Sequence, residues 1–213
     1  ICLGIIGISP FFIDVHLPNL IKLRKYFEIS GVYNRTPYKT EYFREKFNAF
    51  STSHIDKIID NDDIDCLIVA NAHGEHAGIV MKCIKSKKHV FVEKPLSTTL
   101  NELKLIKDAY ITNPNKILMV GYNRRYSPIA REIKERVKNR INPMIMHYRM
   151  NAGYKPMNDK AHEFGGRIVG ECCHIIDLCT YFSGSEIKHI ISEKITPKNE
   201  HYSSKDNMVI TIK

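Results

Sequence analysis

Over its first 122 positions the chain alternates five short apolar runs with longer amphipathic stretches. The runs cover residues 2–7, 27–33, 65–70, 89–92 and 117–122. Each is too short for a typical helix and mostly apolar, so each reads as a buried strand. Between them, residues 15–26 carry Val15, Leu17, Leu20, Ile21 and Leu23 at helical spacing. Helices are also predicted over 37–47, from Ser53 to the polar turn at 61–63, over 75–86, and from Thr98 to about Tyr110. Thr99, three residues before Glu102, fits a capping box at the start of the last of these. Strands separated by helices of about 10–15 residues imply an α/β fold with a doubly wound parallel sheet and right-handed crossovers.

After Tyr122 the pattern changes. An amphipathic helix is predicted over 127–138, a strand over 143–151, a polar loop over 152–164 and an apolar helix over 168–182. Strands are predicted over 187–195 and 208–212. The expected organisation is a first domain at 1–122 and part of an α+β domain, with a mostly antiparallel sheet, at 123–213.

Composition narrows the function classes. Lys and Arg number 32 against 23 Asp and Glu, a formal net charge of +9. The basic residues are scattered, and the densest run, 82–88, lies at a predicted helix end where the dipole favours cations. A solvated surface or a phosphorylated small molecule fits this better than nucleic acid, for which no signature is present. No apolar run approaches the ~20 residues that span a bilayer. The six cysteines contain no C-x-x-C pair and read as reduced thiols, so a cytoplasmic setting is expected. Glu171-Cys172-Cys173-His174 does not make a metal site, because adjacent cysteines rarely offer tetrahedral geometry and no second ligand pair has zinc spacing. The chain starts inside a strand without Met, so a piece of a longer chain is expected.

The first strand ends in Gly4-Ile5-Ile6-Gly7-Ile8-Ser9-Pro10-Phe11-Phe12. A dinucleotide turn G-x-G-x-x-G would have Gly7 in its first place, with Ser9 and Phe12 standing where the other glycines belong. Pro10 removes one N–H from the phosphate cradle. Phe12 is expected to push the first helix outward or to lie across the adenine side, and the turn predicts weak cofactor affinity. Asn34 lies 22 positions beyond Phe12, at the end of the second strand, where an acid usually binds the adenosine ribose. A neutral Asn34 followed by Arg35 favours NADP over NAD.

Several segments then resemble one family. "KHVFVEKPL" at 88–96 is similar to the Glu-Lys-Pro signature of the glucose–fructose oxidoreductase/inositol dehydrogenase family (Gfo/Idh/MocA). "VANAHGEHA" at 69–77 resembles its A-T-P-N-x-x-H, with His76 at the His position. "LMVGYNRRYSP" at 118–128 resembles its G-[FY]-x-x-R-[FY], and "GGRIVGECCHIIDL" at 165–178 its H-x-x-D, through His174 and Asp177. The resemblance implies a Rossmann-type first domain, a cis peptide before Pro95, and chemistry that moves a hydride between nicotinamide and a sugar or sugar-nucleotide hydroxyl or ketone. Family members are usually longer, so a truncated C-terminal sheet is expected. That sheet often builds a homo-oligomer, and in some relatives the domain follows a zinc-type alcohol dehydrogenase domain.

Residue roles follow from chemistry and from the matched motifs. Lys94, after a strand's C-terminal end, is suited to hold a substrate oxygen and stabilise developing negative charge. His174 is suited to proton transfer near neutral pH. Many relatives have an Asp four residues before this His. Here Gly170 occupies that place, and Glu171, three before, shares a helical face with His174 and is its expected replacement. Gly7, Ser9, Asn34, Arg35, Asn71, His76 and Glu93 are the expected cofactor residues. Lys94, Asn123, Arg124 and Asp177 are the expected substrate residues, with Asp177 alternatively orienting His174. The rival expectation is a catalytically silent ligand-binding or scaffold domain with a degraded turn.

Overall fold

The computed structural model describes residues 1–151, 153–154, 166–199 and 206–213. They form two compact units, Ile1–Gly121 and Tyr122–Lys213.

The first unit contains β1 (Cys2–Ile6), α1 (Leu17–Lys22), β2 (Glu28–Tyr33), α2 (Tyr38–Phe47), β3 (Phe50–Thr52), α3 (Ile55–Ile59), β4 (Cys66–Val69), α4 (His76–Lys85), β5 (His89–Val92), α5 (Leu100–Ile111) and β6 (Leu118–Val120). The strands form one sheet of order β3-β2-β1-β4-β5-β6, and every pair is parallel. Chain order reverses between β1 and β4, which creates a topological switch point at their carboxyl ends. The alternation of side chains along each strand divides the core between two faces. Leu3, Ile5, Val32 and Ile68 pack with Leu17 and Phe43 on one face. Ile6, Leu67, Val69 and Val92 pack with Ile59, Val80, Ile84 and Ile106 on the other. Thr99 and Glu102 form the reciprocal capping box that starts α5.

Two features depart from the sequence reading. The edge strand β3 has only three residues, too few to show a period. The first helix opens with a π turn over Phe12–His16 and its α-helical part ends at Lys22, earlier than the apolar spacing to Tyr26 suggests. Phe12 opens that π turn. Its ring is fully buried, stacked on His16 at 5.9 Å and tilted against Phe43 at 6.2 Å. Burying a Phe stabilises by about 1.5–3 kcal/mol. The ring therefore enters the core and does not lie across a ligand face.

The second unit contains a 3-10 turn over Asn123–Tyr126, α6 (Pro128–Val137), α7 (Cys173–Ser183), β7 (Ile190–Lys194) and β8 (Met208–Ile212). Ser127 caps α6 by accepting from the Ala130 amide at 3.2 Å, and Pro128 takes the first helical position. A π turn over Ile168–Cys172 leads into α7, which ends at Gly184 in the left-handed conformation. β7 and β8 pair antiparallel, Ile190 with Ile212.

The strand expected over 143–151 does not form. Its alternation is real, because Met144 and Met146 are half-buried while Ile145 and His147 are exposed. The segment lines a pocket together with Ile133 and Val137 of α6 and Leu178 and Phe182 of α7. One-sided burial can produce the same period as a strand, but no ladder partner pairs with this segment among the described residues. Of the loop expected over 152–164, only residues 153–154 fall among those described, and Gly165 lies outside them.

Candidate active site

At the switch point, Gly7 follows β1 and Asn71 follows β4. Gly7 has φ +95°, and a Cβ there would sit 2.7 Å from the Asn71 amide nitrogen. Only glycine fits a backbone that close in that conformation. Its amide donates to the Tyr33 carbonyl at 3.1 Å, so the turn is also held to β2. The Asn71 Oδ1 is buried and has no hydrogen-bond partner among the described residues. A glycine without room for a Cβ, beside an orphaned acceptor at the switch point, fits a dinucleotide.

The turn's polar groups are partly committed. The Ile8 amide donates to Asn34 Oδ1 at 3.2 Å, and Asn34 Nδ2 donates to the Thr36 carbonyl at 3.1 Å. Asn34 thereby ties the end of β2 to the glycine turn. Ser9 Oγ accepts from the Phe12 amide at 3.1 Å, which caps the helix start. The Ser9 hydroxyl proton remains its own group to donate.

Arg35 reaches across to Glu75, Nη1 to Oε1 at 3.1 Å. The other carboxylate oxygen of Glu75 accepts from Asn71 Nδ2 at 2.6 Å. Glu75 thus links two expected cofactor residues, although sequence reasoning passed over it. The signal was its position four after Asn71 and directly before His76. His76 itself is fully buried. Its Nδ1 lies 2.7 Å from the Pro95 carbonyl oxygen and its Nε2 3.2 Å from that of Asn71. It thereby links the loop after β4 to the loop after β5.

Glu93 and Lys94 follow β5, the neighbour of β4, at the same carboxyl edge. The Lys94–Pro95 peptide is cis, as the resemblance implies. Glu93 Oε2 accepts from the Lys94 amide at 3.2 Å, and Oε1 lies 2.8 Å from His16 Nε2. His16 is a second residue that sequence reasoning missed, hidden on the apolar helix pattern. Gly121 backs the pair, since a Cβ there would meet Glu93 Oε1 at 3.0 Å.

In the second unit, His174 is buried on α7 with its ring edge-on to Tyr122, centroids 6.1 Å apart. Burial pushes the Tyr122 phenol up to about 12, assisted by Cys173 and Asp177. Asp177, expected to bind substrate or orient His174, is held by Arg125. Arg125 Nε donates to Oδ2 at 2.6 Å, and Nη2 donates to Oδ1. With its side chain only 6% exposed, Asp177 has both oxygens committed to a bidentate ion pair. The carboxylate raises the Arg125 pKa further. Arg124 Nη1 donates to the Tyr148 hydroxyl at 3.3 Å, and Asn123 is exposed. Glu171 sits in the π turn, so the α-helical i,i+3 relation to His174 does not carry over to it.

Comparison with known proteins bears on both units. Among curated relatives, a myo-inositol 2-dehydrogenase of Thermotoga maritima is 29% identical over 150 residues, 68% of this chain and 43% of its own. Inositol 2-dehydrogenase 2 of Saccharopolyspora erythraea is 31% identical over 134 residues, 61% of this chain and 38% of its own. The chain thus spans less than half the length of these two relatives. A crystal structure of myo-inositol dehydrogenase from Lactobacillus casei, in complex with NAD(H) and myo-inositol, matches the fold with a TM-score of 0.80 at 24% identity. That match covers 100% of this chain and 64% of the other. A 3-ketoreductase from Actinomadura kijaniata, in complex with NADP and TDP-benzene, matches 65% of this chain and 42% of its own with a TM-score of 0.59 at 22% identity. The family model described as an oxidoreductase family with an NAD-binding Rossmann fold matches residues 1–122. With more than half of its length matched in this way, the chain belongs to the Gfo/Idh/MocA oxidoreductase family.

Proposed function

We propose that this protein is an NAD(P)-dependent oxidoreductase acting on a hydroxyl or ketone of a sugar, a cyclic sugar alcohol or a sugar nucleotide. The observation that carries the reading is the contact of Gly7 with Asn71 at the switch point, with Lys94 following the next strand at the same edge. A bound nicotinamide supplies the hydride acceptor or donor. Gly7, Ser9, Asn34, Arg35 and Asn71 hold the dinucleotide, and Glu93 orients the Lys94 loop toward it. The Lys94 ammonium holds the substrate oxygen and stabilises charge that develops there. His174 carries the proton, and Asn123 and Arg124 bind the sugar. Asp177 positions α7 through Arg125 rather than touching substrate.

Support for the substrate class comes from the curated inositol dehydrogenases and from the fold neighbour described as a 3-ketoreductase in complex with NADP and TDP-benzene. The experiment is a turnover screen with NAD and NADP against inositol isomers and nucleotide sugars, read at the reduced-nicotinamide absorbance. Lys94→Ala is expected to lower kcat by roughly a hundredfold or more. An unchanged rate refutes the role of Lys94.

The second reading, a silent ligand-binding domain, is favoured by the turn itself. The Ile8 and Phe12 amides are already bonded and Pro10 has none to offer. Calorimetry separates the two, because the silent domain binds sugar without binding a dinucleotide.

A further inference from the structure

We propose that Glu75 sets the cofactor choice and selects NAD against NADP, an inference that rests on the dinucleotide reading of the first unit. Arg35 directly follows Asn34 at the end of β2, where a Rossmann-type fold reads the 2′ substituent of the adenosine ribose. By residue type alone, an arginine there serves a 2′-phosphate. In the structure that guanidinium is already engaged by Glu75 at 3.1 Å. The carboxylate is not a free rotor that a phosphate simply displaces, because its second oxygen is held by Asn71 at 2.6 Å. Asn71 in turn has its backbone against Gly7. The chain Arg35–Glu75–Asn71 therefore runs from the end of β2 to the turn at the switch point.

Two consequences follow for a ligand at this edge. The positive charge that would reward a 2′-phosphate is neutralised, and a phosphate dianion approaching Arg35 meets a fixed carboxylate of like charge. A 2′-hydroxyl meets no such repulsion and can donate to a carboxylate. The acid missing at position 34 is supplied from the loop before α4, from a different strand of the sheet.

The side chains of Arg35 and Glu75 are 73% and 40% exposed. Exposed ion pairs are individually weak, so the expected effect is roughly two- to fivefold, not thousands. The test is titration of the full chain with NADH and NADPH, measuring both dissociation constants for wild type, Glu75→Gln, Arg35→Ala and the double variant. Glutamine keeps a carbonyl oxygen for Asn71 and loses the charge. Wild type is expected to bind NADH more tightly. Glu75→Gln is expected to shift the NADPH/NADH ratio toward NADPH by roughly two- to fivefold, and Arg35→Ala to cancel that shift in the double variant. A wild-type preference for NADPH, or a ratio unchanged in Glu75→Gln, overturns the role of Glu75 and leaves the dinucleotide site standing. No binding of either dinucleotide by wild type overturns both.

Discussion

His16 and Glu93, 77 residues apart in the chain, meet at 2.8 Å between Nε2 and Oε1. The contact joins the helix after the glycine turn to the loop after β5. Three aromatic rings hold the imidazole in place: Phe12 stacked at 5.9 Å, Phe11 edge-on at 5.4 Å and Phe91 edge-on at 5.6 Å. Through the second oxygen of Glu93, the same contact reaches the Lys94 amide.

His16→Ala is expected to destabilise the protein by about 1.5–3 kcal/mol, the usual contribution of a hydrogen bond to a charged group. His16→Gln keeps a donor of similar reach and recovers part of the loss. Urea unfolding of both variants checks this. Equal losses in the two would mean that ring packing, not the bond to Glu93, holds the loop.

Gly7→Ala is expected to cost about 2–3 kcal/mol and to abolish dinucleotide binding. The new Cβ meets the Asn71 backbone, and the positive φ adds strain. Gly78→Ala is the internal contrast. It lies inside α4 with nothing within 4 Å of an added Cβ, and it should stabilise by about 0.5–1 kcal/mol. Chemical denaturation and dinucleotide titration measure both, and similar behaviour of the two glycines would refute the argument.

Cys83 is fully buried on α4, and burial pushes its thiol from 9.0 up to about 12. At pH 8 that leaves about a thousandfold less thiolate than an ordinary cysteine has. Alkylation of the native protein should therefore spare Cys83 until the chain unfolds, as peptide mass spectrometry would record. Fast labelling of Cys83 in the folded protein would contradict it.

Tyr122 should give the second unit a measurable alkaline limb. Its phenol is raised from 10.0 to about 12, so the fold favours the neutral form. The unfolded chain releases this proton first. The contribution to stability is complete below about pH 10 and is lost as pH rises through about 12. Tyr122→Phe removes this component, so the wild-type curve between pH 9 and 12 should fall more steeply than the variant's. Parallel curves would show that the phenol ionises equally in both states.

The sheet was legible because its causes are local. Short apolar runs can be buried on both faces only between covering helices, and Thr99 with Glu102 marks a helix start by two adjacent bonds. Position 143 onward shows the limit of that logic. Burial alternates at Met144 and Met146 as in a strand, yet no ladder forms there among the described residues. Phe12 shows another limit, since its place in the core depends on Phe43 and His16, which are not its sequence neighbours.

For the candidate site the division is similar. The residue types at Gly7, Lys94 and His174, together with their motifs, already pointed to dinucleotide-dependent chemistry from the sequence. Partnership among side chains was decided only by the tertiary structure. Glu75 takes Arg35, Arg125 takes Asp177, His16 takes Glu93, and His76 withdraws into the interior to clamp Asn71 and Pro95. Strand and helix periods arise from backbone geometry that repeats every few residues, so a linear pattern carries them. Charge pairing depends on groups 40 to 77 positions apart in the chain, which only the tertiary fold of each unit brings within about 3 Å.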